Sequence, residues 1–279
     1  MKPIIIVALN VGMNGRIIMI QQDCGMDVYT VIDKRAHDYV GVDDFQNKKM
    51  NLLVQAHRGE YEKLKQFPNV KLLIDSGAYI YNFSAKSQSE EKTRKFIEKY
   101  LSFVKETKND KRIQGYFDMD LLYLGLPSIR HLRDALLSIT PNIIAVYHPI
   151  WGINEFKHMC RQYDNISICG NDGITSNGYT QLVKYAHKHG CYVHGLGIND
   201  DRQLKKTPFN SVDSAGWNMS AIRDYYFHSG IPKTPETNRK YRPLYERKYF
   251  LKQLQRQEFY KNYWKTYFTL LRNKRRRVN

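Results

Sequence analysis

Ile143-Ile144-Ala145-Val146-Tyr147-His148-Pro149-Ile150-Trp151-Gly152, then Ile153 to Tyr163, then Ile166-Ser167-Ile168-Cys169, is the stretch that decides the fold. A short, continuous apolar run rich in β-branched residues reads as a strand buried on both faces. Residues 153–163 are amphipathic at helical spacing. A second short apolar run follows. Strand, helix, strand is the unit that joins two parallel strands through a crossover.

The alternation continues outward from this unit. Further strands are expected at Ile4–Leu9, Val70–Ile74, Gly115–Phe117, Tyr192–His194 and Ser211–Asp213. Further helices are expected at Lys48–Gln66, Ser89–Thr107, Ser128–Ile139, Thr180–His189 and Asp201–Lys205. Ser89 or Ser87 caps the helix that carries Glu90 and Glu91 in its first turn. Gly190 follows Lys188-His189 as a C′ glycine. Seven or eight such units predict an α/β fold, a (β/α)8 TIM barrel, in preference to an open doubly wound sheet. Residues 10–47, with Gly12, Gly15 and Gly25, are the least legible and read as an insertion or a short hairpin.

Composition changes after residue 231. Pro232-Lys233-Thr234-Pro235-Glu236-Thr237 reads as a linker. Residues 240–279 then hold 13 Lys/Arg and 2 acids, so most of the chain's +17 sits there. Ten aromatics interleave with those charges, largely at helical spacing. The expected organisation is a barrel over 1–231 and a basic, mainly helical C-terminal extension over 232–279.

With 44 Lys and Arg against 27 acids, the chain favours a polyanionic partner through phosphate neutralisation. Lys261, Lys265, Arg272, Lys274, Arg275, Arg276 and Arg277 are the candidate phosphate contacts; the bland reading of that run is a solvated end. Four scattered cysteines without a C-x-x-C pair read as a reduced, cytoplasmic protein. No apolar run is long enough for a membrane span.

In a parallel barrel, catalytic groups gather at the C-terminal ends of strands. Asp75 ends one apolar run and precedes Ser76-Gly77-Ala78-Tyr79. Asp118 and Asp120 end another. Asp213 ends Ser211-Val212. Each caps a turn or faces a site, and three on separate strands favour one shared mouth. Carboxylates working together serve displacement at a sugar carbon: one attacks, another handles protons. His148 follows the strand 143–147 and faces the pocket or serves structure; Trp151 stacks on a base or covers the mouth. His187, His189, Cys191 and His194 resemble a metal string, but their positions on helix and strand point them apart. No metal or other cofactor is expected.

Asp75-Ser76-Gly77-Ala78-Tyr79 resembles the Asp-Ser-Gly-Gly-Phe motif of the tRNA-guanine transglycosylase superfamily. Phe117-Asp118 resembles that family's base-recognising Phe-Asp, and His194-Gly195-Leu196-Gly197 its Gly-Leu pocket segment. Val212-Asp213-Ser214 falls where the family has Phe-Asp-Cys. The resemblance covers roughly residues 70–217. It implies that Asp213 is the nucleophile and that Asp75 moves protons. It implies that Asp118 accepts hydrogen bonds from a guanine edge, with Ser76, Gly77, Tyr79, Gly195 and Leu196 around the base; His148 joins the candidates through its own place after the strand 143–147.

The sequence also departs from the family. No cysteine follows Asp213, so the zinc site of the tRNA enzymes and its docking subdomain are missing from the pattern. Cys169-Gly170-Asn171-Asp172-Gly173 stands where the family has Gln-Gly-Gly. These departures are closer to the DpdA-type DNA-guanine transglycosylases, found in bacterial modification clusters and in phages. The expected activity is replacement of guanine by a 7-deazaguanine in DNA, in the cytoplasm (the host's, for a phage protein). Exchange in tRNA, a nucleoside or glycoside hydrolase, and a non-catalytic nucleic-acid-binding barrel stay open, as does a homodimer.

Overall fold

A computed structural model describes residues 25–32, 48–57, 59–83, 89–170 and 173–278, with side chains described to residue 273. The eight strands are β1 (Asp27–Val31), β2 (Met50–Gln55), β3 (Val70–Asp75), β4 (Ile113–Phe117), β5 (Ile143–Tyr147), β6 (Asn165–Cys169), β7 (Tyr192–Leu196) and β8 (Ser211–Ser214). All pair in parallel, in sequence order, and β1 closes on β8. This is the (β/α)8 barrel the alternation predicts. Parallel strands need crossovers, and from β2 onward described helices supply them. These are α1 (Glu60–Leu64), α2 (Ala78–Phe83), α3 (Glu90–Thr107), α4 (Gly125–Leu137), α5 (Gly152–Gln162), α6 (Ser176–Lys188), α7 (Asp201–Lys206), α8 (Gly216–Arg223), α9 (Pro235–Tyr263) and α10 (Lys265–Val278).

Local signals set the helix ends. Ser89 accepts a hydrogen bond from the Lys92 N–H at the start of α3. Gly190, at φ 86°, ends the turn after α6 in a conformation that a side chain would strain.

The strand register closes around the barrel with a stagger of one residue per strand. Following it gives three inward layers. Tyr29, Leu73, Ile144 and His194 form the lowest, Leu53, Phe117, Ser167 and Asp213 the middle, and Val31, Asp75, Val146 and Leu196 the upper. The apolar members of these layers form one buried cluster, joined by Tyr192. Outward side chains pack against the helices in two larger clusters. Polar groups enter the inward stack at Asp75, Ser167, His194 and Asp213. An apolar fill gives way to them toward the C-terminal ends of the strands.

Two strands differ from the sequence reading. Residues 50–55 are β2, not the start of a helix. Leu52-Leu53-Val54 is buried on both faces, and its polar neighbours imitate a helical period. β1 lies in the stretch read as an insertion or hairpin. The expected strand Ile4–Leu9 lies outside the described residues.

The C-terminal extension is helical, as expected, but it belongs to the barrel wall. Phe250 and Tyr260 of α9 and Phe268 of α10 are buried in the two outer clusters. The Gln257 amide donates to the carbonyls of Val28 and Asn51, binding α9 across β1 and β2. A Cβ on Gly25 would meet the Lys261 carbonyl at 2.2 Å, so only glycine lets α9 pass there. Several tail aromatics are therefore core residues. The composition break near 231 marks a change of surface, since the packing continues across it.

Candidate active site

Asp213 sits in the middle layer of the barrel, on β8. Its Oδ1 accepts from the Gly197 N–H at 2.7 Å and meets His194 Nε2 at 3.1 Å. His194 Nδ1 meets Ser211 Oγ at 2.7 Å. With Asp213 ionised, Nε2 carries the proton and Nδ1 accepts from the Ser211 hydroxyl. The His194 ring stands edge-on to Phe117 and Tyr29, which fixes its plane. Asp213 Oδ2 has no hydrogen-bond partner among the described residues. The result is a buried carboxylate with one oxygen clamped.

Asp75 lies one layer higher, on β3. Gln55 Nε2 donates to Oδ2 at 3.1 Å and the Gly77 N–H to Oδ1 at 2.9 Å. Gly77 takes φ 83° to make this turn. Ser76 is buried and its Oγ accepts from the Ala78 N–H at the start of α2. It shapes the loop around Asp75. Tyr79 is 65% exposed at the rim.

Asp120, two residues beyond Asp118, belongs to the same mouth. Its Oδ2 lies 2.7 Å from His148 Nε2. Burial pushes its carboxyl above the usual range, the His148 contact pulls it back, and the charge of Asp75 raises it again. The two carboxylates are near enough to act on each other. His148 faces this cluster, so its pocket-facing reading fits the geometry.

Asp118 is the main correction. Strand alternation turns it outward, away from Phe117. It is wholly buried and paired with Arg133 Nε of α4, while Arg133 also donates to the Val146 carbonyl at 2.6 Å. Asp118 thus holds α4 to the barrel and cannot meet a base in the mouth. The sequence offered Asp118 and Asp120 side by side, and the family-like Phe-Asp pair drew the choice to the wrong one. Gly195 is corrected similarly. A Cβ there would point outward, meeting Ile198 and Val212 at 3.1 Å and Phe209 at 3.2 Å. Close packing against these loop and strand side chains is what fills the space beside that glycine. Leu196 does face inward, in the upper layer beside Asp75.

The basic tail is placed differently from its expected role. Tyr267 Oη meets His187, which in turn meets Asn210, the residue before β8. The Lys261 backbone lies against Gly25, before β1. Lys261, Lys265 and Arg272 therefore lie toward the N-terminal ends of the strands, opposite the carboxylates. The side chains of Lys274, Arg275, Arg276 and Arg277 lie outside the described residues.

The residues of the metal-like string have separate partners. His189 Nδ1 meets the Tyr185 carbonyl and Cys191 Sγ the Cys160 carbonyl. Among the described residues, no group of three His, Cys, Asp or Glu could hold a metal ion. Nor is any helix among them long and apolar enough to cross a membrane.

The fold and this mouth define a class: a (β/α)8 barrel whose carboxylates and histidines collect at the C-terminal ends of its strands, where barrel enzymes place their chemistry. No family model and no curated protein matches the chain. Among solved structures it is similar to a protein from Coccidioides immitis assigned as a fructose-1,6-biphosphate aldolase. The TM-score is 0.53 at 6% identity, over 85% of this chain and 91% of that one. At such identity the likeness is one of fold.

Proposed function

We propose that the protein is an enzyme that exchanges a purine base on a polynucleotide, replacing guanine with a 7-deazaguanine, with DNA as the favoured strand. The observation that carries this reading is Asp213: one oxygen held by His194 and Gly197, the other without a hydrogen-bond partner among the described residues, with Asp75 one layer above and Asp120 within electrostatic reach of Asp75. The family-like motifs at Asp75 and Asp213 support it as well; those at Asp118 and Gly195 do not.

In this reading Asp213 Oδ2 attacks C1′ of the target nucleotide. The C1′–N9 bond breaks and a glycosyl ester forms. Asp75 delivers a proton to the departing guanine, then takes one from N9 of the incoming base, whose N9 attacks C1′ and frees Asp213. Proton, bond and charge are restored over the cycle. Asp120, in place of Asp118, accepts from the N1–H and exocyclic amine of the base, oriented by His148. The Gly197 N–H and His194 hold Asp213 in one rotamer, so attack needs little reorganisation. A target inside a duplex must first be flipped out.

The test is nucleoside mass spectrometry of DNA and tRNA from cells expressing the protein with a supply of 7-deazaguanine bases. Modified deoxynucleosides are expected, and should vanish with Asp213→Asn. Modified ribonucleosides alone would make tRNA the substrate. Release of free base without incorporation would make the protein a hydrolase.

A further inference from the structure

The position of the basic tail leaves open what grips a nucleic-acid backbone at the mouth. A second cationic feature lies on the correct side. Lys92, Lys95 and Lys99 share one face of α3, at spacings of three and four. They line a cavity of about 410 Å³ together with His57, Gln55 and Gly77, the last two being partners of Asp75. The other wall is apolar, from Ile80, Tyr81 and Phe96.

His57 is the second observation. Both ring nitrogens are shut off from solvent and lack a hydrogen-bond partner among the described residues. Phe96 and Tyr100 hold the ring edge-on at 5.2 and 6.0 Å. Burial, then the Lys99 charge, keep it near 4, so it is neutral and offers one N–H. A buried polar group without a partner calls for a ligand or an ordered water. On the same helix, Glu91 is an exposed partner of Lys95 at 2.5 Å.

We infer that this cavity binds a phosphate group, and that its source is the strand carrying the target nucleotide. The lysine ammonium groups match phosphate oxygens. The apolar wall with Tyr81 suits the adjoining sugar or base. The cavity's contact with the Asp75 loop would set the strand's register on the mouth. The strand as source rests on the proposed exchange reaction; the phosphate site itself does not.

The test is fluorescence anisotropy of a labelled single-stranded DNA oligonucleotide across a salt series, with wild type, Lys92→Gln/Lys99→Gln, and the exposed α6 control pair Lys184→Gln/Lys188→Gln. The first pair should weaken binding roughly tenfold and flatten the logarithmic salt slope by about one to one and a half. The control should change neither. Lys92→Arg/Lys99→Arg should retain affinity, which separates charge from folding. A thermal shift with inorganic phosphate distinguishes the sources. If the Gln pair loses that shift but keeps oligonucleotide affinity, the site takes a small phosphate compound. If affinity, slope and phosphate shift all match wild type, or the control pair changes as much, the inference is overturned. None of these readouts needs base exchange, so this site and the exchange reaction can fail separately.

Discussion

His194 Nε2 lies 3.1 Å from Asp213 Oδ1, from the layer directly beneath it in the barrel. The histidine is fully buried and its other nitrogen is occupied by Ser211. It therefore works as a support for the carboxylate, away from the mouth. His194→Ala should let Asp213 turn and lower single-turnover base release about a hundredfold, with KM changed little. A rate within about twofold of wild type would remove His194 from the account.

Asp118 and Asp120 make opposite predictions. Asp120→Asn should abolish exchange while oligonucleotide affinity, read by anisotropy, stays near normal. Arg133→Met should act on stability, because it strands the buried Asp118 charge. Urea unfolding should show a loss of about 3–5 kcal/mol. A stable Arg133→Met protein with impaired guanine recognition would return Asp118 to the site.

Asp118 also gives a pH signature. Burial pushes its carboxyl up to about 6, against the opposing pull of Arg133. A carboxyl raised in the folded state contributes stability in full below its unfolded value, and that contribution is lost as pH rises through the folded one. Between about pH 4 and 6 this group should therefore lower stability as pH rises. In Asp118→Asn that component of the slope should disappear, measured by unfolding at several pH values. An unchanged slope would contradict the assignment.

Removing α9 and α10 should unfold the barrel. Phe250, Tyr260 and Phe268 bury their rings in its outer clusters, and Gln257 satisfies two backbone carbonyls. Gln257→Ala alone should cost about 1–3 kcal/mol by leaving those carbonyls unpaired. A truncated chain ending near residue 234 that melts like wild type would show the extension to be dispensable.

How far the sequence revealed this arrangement depends on what each residue touches. Strands β3 to β7 are legible because each is a short, largely apolar run between amphipathic helices, and β8 because it follows the same alternation. β2 was not, since a doubly buried strand carries no alternation and its flanks mimic a helix. Asp75, Asp213, His148 and Leu196 could be placed at strand ends by the barrel rule. The choice between Asp118 and Asp120 depends on which way the chain turns after Phe117, and the partner that holds Asp118 outward, Arg133, is on the next helix, α4. The tail was read as a nucleic-acid arm because charge and aromatics are visible in sequence, whereas the buried side of α9 is not. The Lys92–Lys99 face carries no signal of its own in the sequence, because His57 and the Asp75 loop that flank it come from other elements.

The most direct measurement is intact mass and peptide mapping of the protein mixed with guanine-containing DNA and quenched in acid. A glycosyl ester on the Asp213 peptide is predicted, absent in Asp213→Asn and discharged when excess 7-deazaguanine is added. Exchange that persists in Asp213→Asn, or an ester on Asp75 or Asp120 instead, would contradict the account.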